Sequence, residues 1–181
     1  MRTSSIARGI AILIALTFTG TAGAEELVSY LMNDDLVIFK VTDANEYLAY
    51  SKHSGAWKRH AFAEEIKAIP VLSESLCVFV LSGKGITEIV GVDRQGNWRT
   101  AKLSSPATDC KPLVSESVAV FNHDGRTYAF SSITGTWDSI PTTATPFMDR
   151  DIVLIKTDDS ISTFSAQTGK WAEASLKSKP K

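Results

Sequence analysis

Short apolar runs separated by polar turns recur along this chain in a fixed order. Four runs of four apolar residues, 36–39, 76–79, 118–121 and 152–155, each follow two apolar residues and then three small or charged ones. Pro70, Pro112 and Pro146 open the last three of these blocks, and Tyr30 opens the first. The blocks begin 40, 42 and 34 residues apart. Each is followed by a polar turn and by a further run ending at Tyr50, Val92, Phe130 or Phe164. A Gly-x-Trp hairpin then closes the cycle: Gly55 with Trp57, Gly96 with Trp98, Gly135 with Trp137, Gly169 with Trp171. These are all four tryptophans of the chain.

A run that is apolar at every position predicts a strand covered on both faces. Proline suits the first residue of a strand, and the hairpin glycine supplies the positive φ of a tight turn. The pattern therefore predicts four units of about four antiparallel strands, bounded near 27–65, 66–108, 109–143 and 144–176. A four-stranded unit of about 40 residues has the size of a propeller blade. The expected fold is all-β, a small four-bladed β-propeller or a partial one. The tryptophans read as packing residues that fill the wedge between neighbouring sheets, each ring burying roughly 150–250 Å². The segment 60–67 has helical propensity and spaced charges. The repeat places the end of a fourth strand there, with room for one helical turn.

The stretch Thr127-Tyr-Ala-Phe-Ser-Ser-Ile-Thr-Gly-Thr-Trp137 resembles the second half of a Kelch repeat. It also looks like the Thr-Gly-x-x-Trp turn of quinoprotein-type propellers, and Thr163-Phe-Ser-Ala-Gln-Thr-Gly-Lys-Trp171 shares it. The resemblance implies blades over most of the chain. It transfers no active site, because the Kelch Gly-Gly pair and the quinoprotein cofactor and metal ligands have no counterpart here. Four blades is the lower limit for a closed ring. Each unit is complete in itself and leaves no strand for first and last to share. A partial ring that pairs with a second copy is therefore an open alternative.

The N-terminus changes the setting. Arg2 and Arg8, an apolar run from Ile10 to Leu16 and the small residues Ala22-Gly23-Ala24 follow the order of a secretory signal peptide cleaved after Ala24. The apolar run is too short to span a membrane. The expectation is a secreted or periplasmic chain with a repeat domain over 25–176 and a short basic tail over 177–181. Loss of Arg2 and Arg8 leaves 17 basic against 20 acidic residues. With no basic stripe, nucleic acid is not an expected partner. In an exported chain the pair Cys77 and Cys110 predicts a disulfide, stabilising by about 3–4 kcal/mol in the chain-entropy model. Two buried thiols are the alternative.

Candidate chemistry is sparse. His53, His60 and His123 read as solvated surface residues with no metal-site spacing. Nucleotide, haem and serine-hydrolase motifs are missing, so no catalytic residue, metal ligand or cofactor is assigned. Asp34, Asp35, Glu74, Glu116, Asp149 and Asp151 occupy the first polar turn of the units. They read as solvated turn residues, or as an oxygen-rich face for calcium or a cationic ligand. The functional expectation is an exported, non-enzymatic binding or interaction module with a protein or glycan ligand (a fold analogy). The alternatives are a small periplasmic hydrolase or lyase with carboxylates near the ring axis, and the structural half of a dimeric eight-bladed assembly. An exposed apolar flank on the first or last unit favours the last of these.

Overall fold

A computed structural model describes residues 30–177. The segments carrying the signal-peptide reading and nearly all of the basic tail lie outside the described residues. Within them the chain is all-β: fifteen strands form four separate antiparallel sheets in chain order. The first sheet holds β1 (Tyr30–Met32), β2 (Leu36–Lys40), β3 (Glu46–Ser51) and β4 (Ala56–Ala61). The second holds β5 (Lys67–Leu72), β6 (Cys77–Val92) and β7 (Trp98–Cys110). The third holds β8 (Leu113–Val114), β9 (Val118–His123), β10 (Arg126–Ser131) and β11 (Thr136–Pro141). The fourth holds β12 (Phe147–Asp149), β13 (Ile152–Lys156), β14 (Ser160–Ser165) and β15 (Lys170–Ser175). Four sheets joined by short connections are the blades of a propeller-type fold.

Sheets one, three and four share one register. Tyr50 pairs with Trp57, Phe130 with Trp137 and Phe164 with Trp171 across the last two strands. The turn glycines Gly55, Gly96, Gly135 and Gly169 all have φ between 62° and 75°, the left-handed region that a side chain disfavours.

The second sheet departs from the expectation of four strands. The polar turn expected at 82–85 lies inside the sixteen-residue β6, where the register shifts between Ser82 and Ile86. The chain still reverses there. Val78 packs against Phe130, and a Cβ on Gly91 would lie 2.8 Å from the same ring. Likewise Ser75 and Arg94, beyond the two ends of β6, both hydrogen-bond Ser132. β7 then runs on past its pairing with 88–92, so that Ala107, Asp109 and Cys110 pair with Ile86, Ser82 and Leu81. Gly83 and Gly85, both at positive φ, allow this fold-back.

The same register overturns the expected disulfide. Cys110 lies opposite Leu81, four residues along the strand from Cys77. At about 3.3 Å per residue that separates the two by roughly 13 Å, beyond the limit of about 7 Å for a bridge. Both cysteines are free and buried in the core between the first two sheets. Burial raises both thiol pKa values, that of Cys110 to about 11. The residues after β4 form no helix; Ile66 N–H closes a single turn onto Ala63 O.

Hydrophobic clusters fill the gaps between consecutive sheets. Leu36, Ile38, Tyr47 and Ala49 meet Phe79, Leu81 and Val92 in the first gap. Leu76 and Val78 meet Ala119 and Phe130 in the second. Val118, Val120 and Ala129 meet Val153, Phe164 and Ala166 in the third. Among the described residues no hydrogen bond or ion pair joins the fourth sheet to the first. The blades form an open arc.

Candidate functional site

Each seam is built by one repeated contact. The indole N–H of Trp98 donates to Lys58 O at 3.2 Å, that of Trp137 to Arg99 O at 3.2 Å, and that of Trp171 to Asp138 O at 3.4 Å. In every case the acceptor is the main-chain carbonyl of the residue that follows the tryptophan of the preceding sheet. The ring leans on its own sheet, stacked for Trp137 on Phe130 at 4.8 Å between centroids and tilted for Trp171 on Phe164 at 5.5 Å. The tryptophan-bearing row of each sheet therefore faces backwards, toward the sheet before it.

Among the described residues no sheet precedes the first, and its row is open, with Met32 62% exposed and Val37 and Tyr50 only half-buried. Trp57 is 54% exposed and leans on Tyr50 at 5.3 Å. Met32, Val37, Tyr50 and Trp57 lie side by side across the four strands. Tyr30, Phe39 and Leu48 form the parallel row two residues along. The equivalent residues of the third sheet, Ala119, Phe130, Phe121 and Tyr128, are buried. The forward face of the fourth sheet is open in the same way. There Phe147, Leu154, Thr163 and Ala172 share a row, in which Leu154 and Thr163 are only half-buried. Their counterparts Val120 and Ala129 on the third sheet are fully buried. The candidate functional surface is the apolar flank around Trp57. The repeat marks Trp57 in sequence, but its exposure follows from its place as the first of the series.

The first and third turns of each blade lie at one end of its sheet, and they tie sheet to sheet. Asn33 donates to the carbonyls of Ser73 and Leu76, and its side-chain oxygen accepts from Asp35 N and Leu36 N. Ser75 Oγ bonds Ser132 Oγ at 2.9 Å, and Ser117 Oγ donates to Asp151. Ser51 Oγ donates to Arg94 O, and Ser131 Oγ to Ala166 O at 2.6 Å.

The turn carboxylates do not converge on a cation site. Asp35 pairs with Lys52 at 2.7 Å and His53 at 3.0 Å. Burial works to raise its pKa, but the Lys52 and His53 hydrogen bonds and charges outweigh that and hold it below the ordinary value. Glu116 faces Arg150 at 3.6 Å, and Asp151 accepts from Ser117. Asp34, Glu74 and Asp149 take part in no ion pair among the described residues. No group of three or more acidic, histidine or cysteine side chains is placed to hold a metal ion among the described residues.

The histidines differ from the solvated reading. His60 stacks on Trp98 at 4.8 Å and meets the edge of Phe62 at 4.7 Å. Burial in this seam lowers its pKa, against a smaller opposing pull from Glu88. His123 stacks on Phe121 at 5.9 Å and bonds Ser105 O at 2.9 Å. Only His53 lies at a turn, on Asp35. Its pair with Asp35 lines neither of two clefts along the arc. One, of about 280 Å³, lies between the first two sheets, where Lys40, Tyr47 and Lys67 surround it. The other, of about 260 Å³, lies by Asp109, Lys111 and Phe121.

No protein-family model matches this chain, and no curated protein does. Solved structures do. A streptogramin B lyase is 19% identical, with 80% of this chain covering 52% of that one at a TM-score of 0.36. A virginiamycin B lyase from Staphylococcus aureus is 12% identical, with 81% covering 54% at 0.39. BamB from Moraxella catarrhalis is 18% identical, with 80% covering 50% at 0.34. These are propeller-type proteins, and the chain spans about half the length of each. At these identities and scores the likeness says nothing of activity, ligand or partner.

Proposed function

We propose that this chain is an exported interaction module whose working surface is the bare flank of its first sheet and whose ligand is another protein. The observation that carries this reading is the exposure of Met32 and Trp57, with Val37 and Tyr50 only half-buried between them, whereas the counterparts of Val37 and Tyr50 are buried in each of the other three sheets. Apolar faces of this kind on a folded chain mark protein contacts. Aromatic residues such as Trp and Tyr dominate the energetics of such contacts. The hydrogen bonds that lock the turns together keep the flank rigid, so little ordering entropy is lost on docking.

A photo-crosslinking amino acid at position 57, activated in the producing cell, tests the proposal. Covalent adducts to a protein are expected from position 57 and not from Lys177, which lies beyond the last strand. An absence of protein adducts at 57 would overturn it. N-terminal sequencing of the exported chain checks the leader, with Glu25 expected as the first residue.

A further inference from the structure

The geometry points to a second copy of this chain as the occupant of the Trp57 flank, joined front to back so that two arcs close one eight-bladed ring. This rests on the interaction-module reading and goes beyond it by naming the partner and the register.

Three observations carry it. The first is the indole series. Its acceptors are Lys58, Arg99 and Asp138, each one residue after a tryptophan. The next acceptor in the series is Ala172, one residue after Trp171, and the indole left over is that of Trp57. A contact between the fourth sheet of one copy and the first sheet of another supplies both missing members at once. The second is the hydroxyl series at the turns. Ser51 reaches Arg94 O and Ser131 reaches Ala166 O. Ser165 holds the same place in the fourth sheet, opposite Ile152 as Ser131 is opposite Val118. Its acceptor in the second copy is Lys52 O. The third is the apolar match. The open forward row (Phe147, Leu154, Thr163, Ala172) is the counterpart of the Leu113–Val120–Ala129–Asp138 row, in which the fourth sheet covers Val120 and Ala129. The open backward row of the first sheet is the counterpart of the Val153–Phe164–Trp171 row that does the covering.

A cation stands at this joint. The Ser117–Asp151 contact shows that the first turn of one blade meets the first turn of the next. At the new joint Asp151 arrives beside Asp35, where the Lys52 ammonium already paired with Asp35 offsets part of the negative charge.

A front-to-back contact closes into a ring only if the rotation per copy divides the circle; otherwise it grows into a filament. Common propellers hold 4–8 blades. One copy has four, and its own ends do not meet. Two copies give eight, the upper end of that range, while three would give twelve.

Light scattering on the wild-type chain at micromolar concentration should give twice the chain mass. Trp57→Arg on the backward face and Leu154→Arg on the forward face should each halve it, with unchanged β-sheet circular dichroism. Mixing the two variants should restore one dimeric species, because each retains one intact face, but with a single joint. A wild-type monomer, or a ladder of higher multimers, would overturn ring closure. A monomer that still crosslinks from position 57 to a different protein sinks the closure and leaves the interaction-module reading standing. A monomer with no adduct sinks both.

Discussion

The seam between the third and fourth sheets and the flank of the first are made from the same row of positions and meet opposite surroundings. Val153, Phe164 and Trp171 press into the third sheet, and the first two are fully buried. Val37 and Tyr50, half-buried, and Trp57, exposed, stand at the same register with no sheet in front of them among the described residues. The local strand chemistry is alike, so the difference lies wholly in the neighbour. What a blade gains in stability from its aromatic row is set by the sheet it covers and not by the row itself.

That contrast can be broken most severely inside a seam. Trp137→Ala removes the indole that fills the second gap and bonds Arg99 O, and should cost about 3–5 kcal/mol in urea unfolding. Trp57→Ala, measured in dilute solution where copies are apart, should cost less than about 1 kcal/mol, the ordinary scale for surface changes. Equal losses would mean that the flank is covered within a single chain.

The turn glycines sharpen the comparison at smaller scale. Gly55 and Gly135 have φ of 62° and 66°, so a methyl group strains both by about 1–2 kcal/mol. At Gly55 the methyl meets nothing within 4 Å, whereas at Gly135 it runs into the Asp93 carboxylate and Arg99 of the preceding sheet. Gly135→Ala should therefore lower the melting temperature by clearly more than Gly55→Ala. The buried thiols give a chemical readout: a thiol reagent should find two reactive cysteines in the unfolded chain and none in the native one.

The smallest expected effect is one of pH. His60 is kept neutral by burial between Phe62 and Trp98, so its folded pKa lies below the ordinary 6.5. The unfolded chain then binds the extra proton first, and stability falls as pH drops below about 6.5 through the folded value. His60→Gln should flatten that slope. Asp35, whose pKa is also depressed, contributes in a lower window: its share is lost as pH falls below 3.8. Denaturant midpoints across pH 3–8 (about twelve conditions in all) would separate the two.

Much of this architecture was legible in the chain. The Gly-x-Trp hairpins and the four-residue apolar runs mark the sheets because period and turn chemistry agree at each unit. The second sheet was harder. Its glycines, Gly83 and Gly85, read as an ordinary turn, and only long-range pairing with 107–110 reveals that β7 doubles back over the fold. The disulfide failed for the same reason, since compartment and parity of cysteines say nothing of strand register. His60 looked solvated because the partner that buries it, Trp98, lies in the next unit. The exposure of Trp57 is not a local property at all. It follows from being first, and could have been read from the missing shared strand between the ends.

The indole acceptor at every seam is a main-chain oxygen, and the residues that carry it are Lys58, Arg99 and Asp138. A cation, a second cation of different shape and an anion all carry that oxygen. Their side chains add different contacts, Lys58 donating to Asn97 in the next sheet and Asp138 accepting from the Trp171 N–H. The indole bond itself asks only for a main chain. Such a molecule can lengthen by duplicating a whole unit, or fuse two arcs into one polypeptide, and keep that bond where the old and new segments meet.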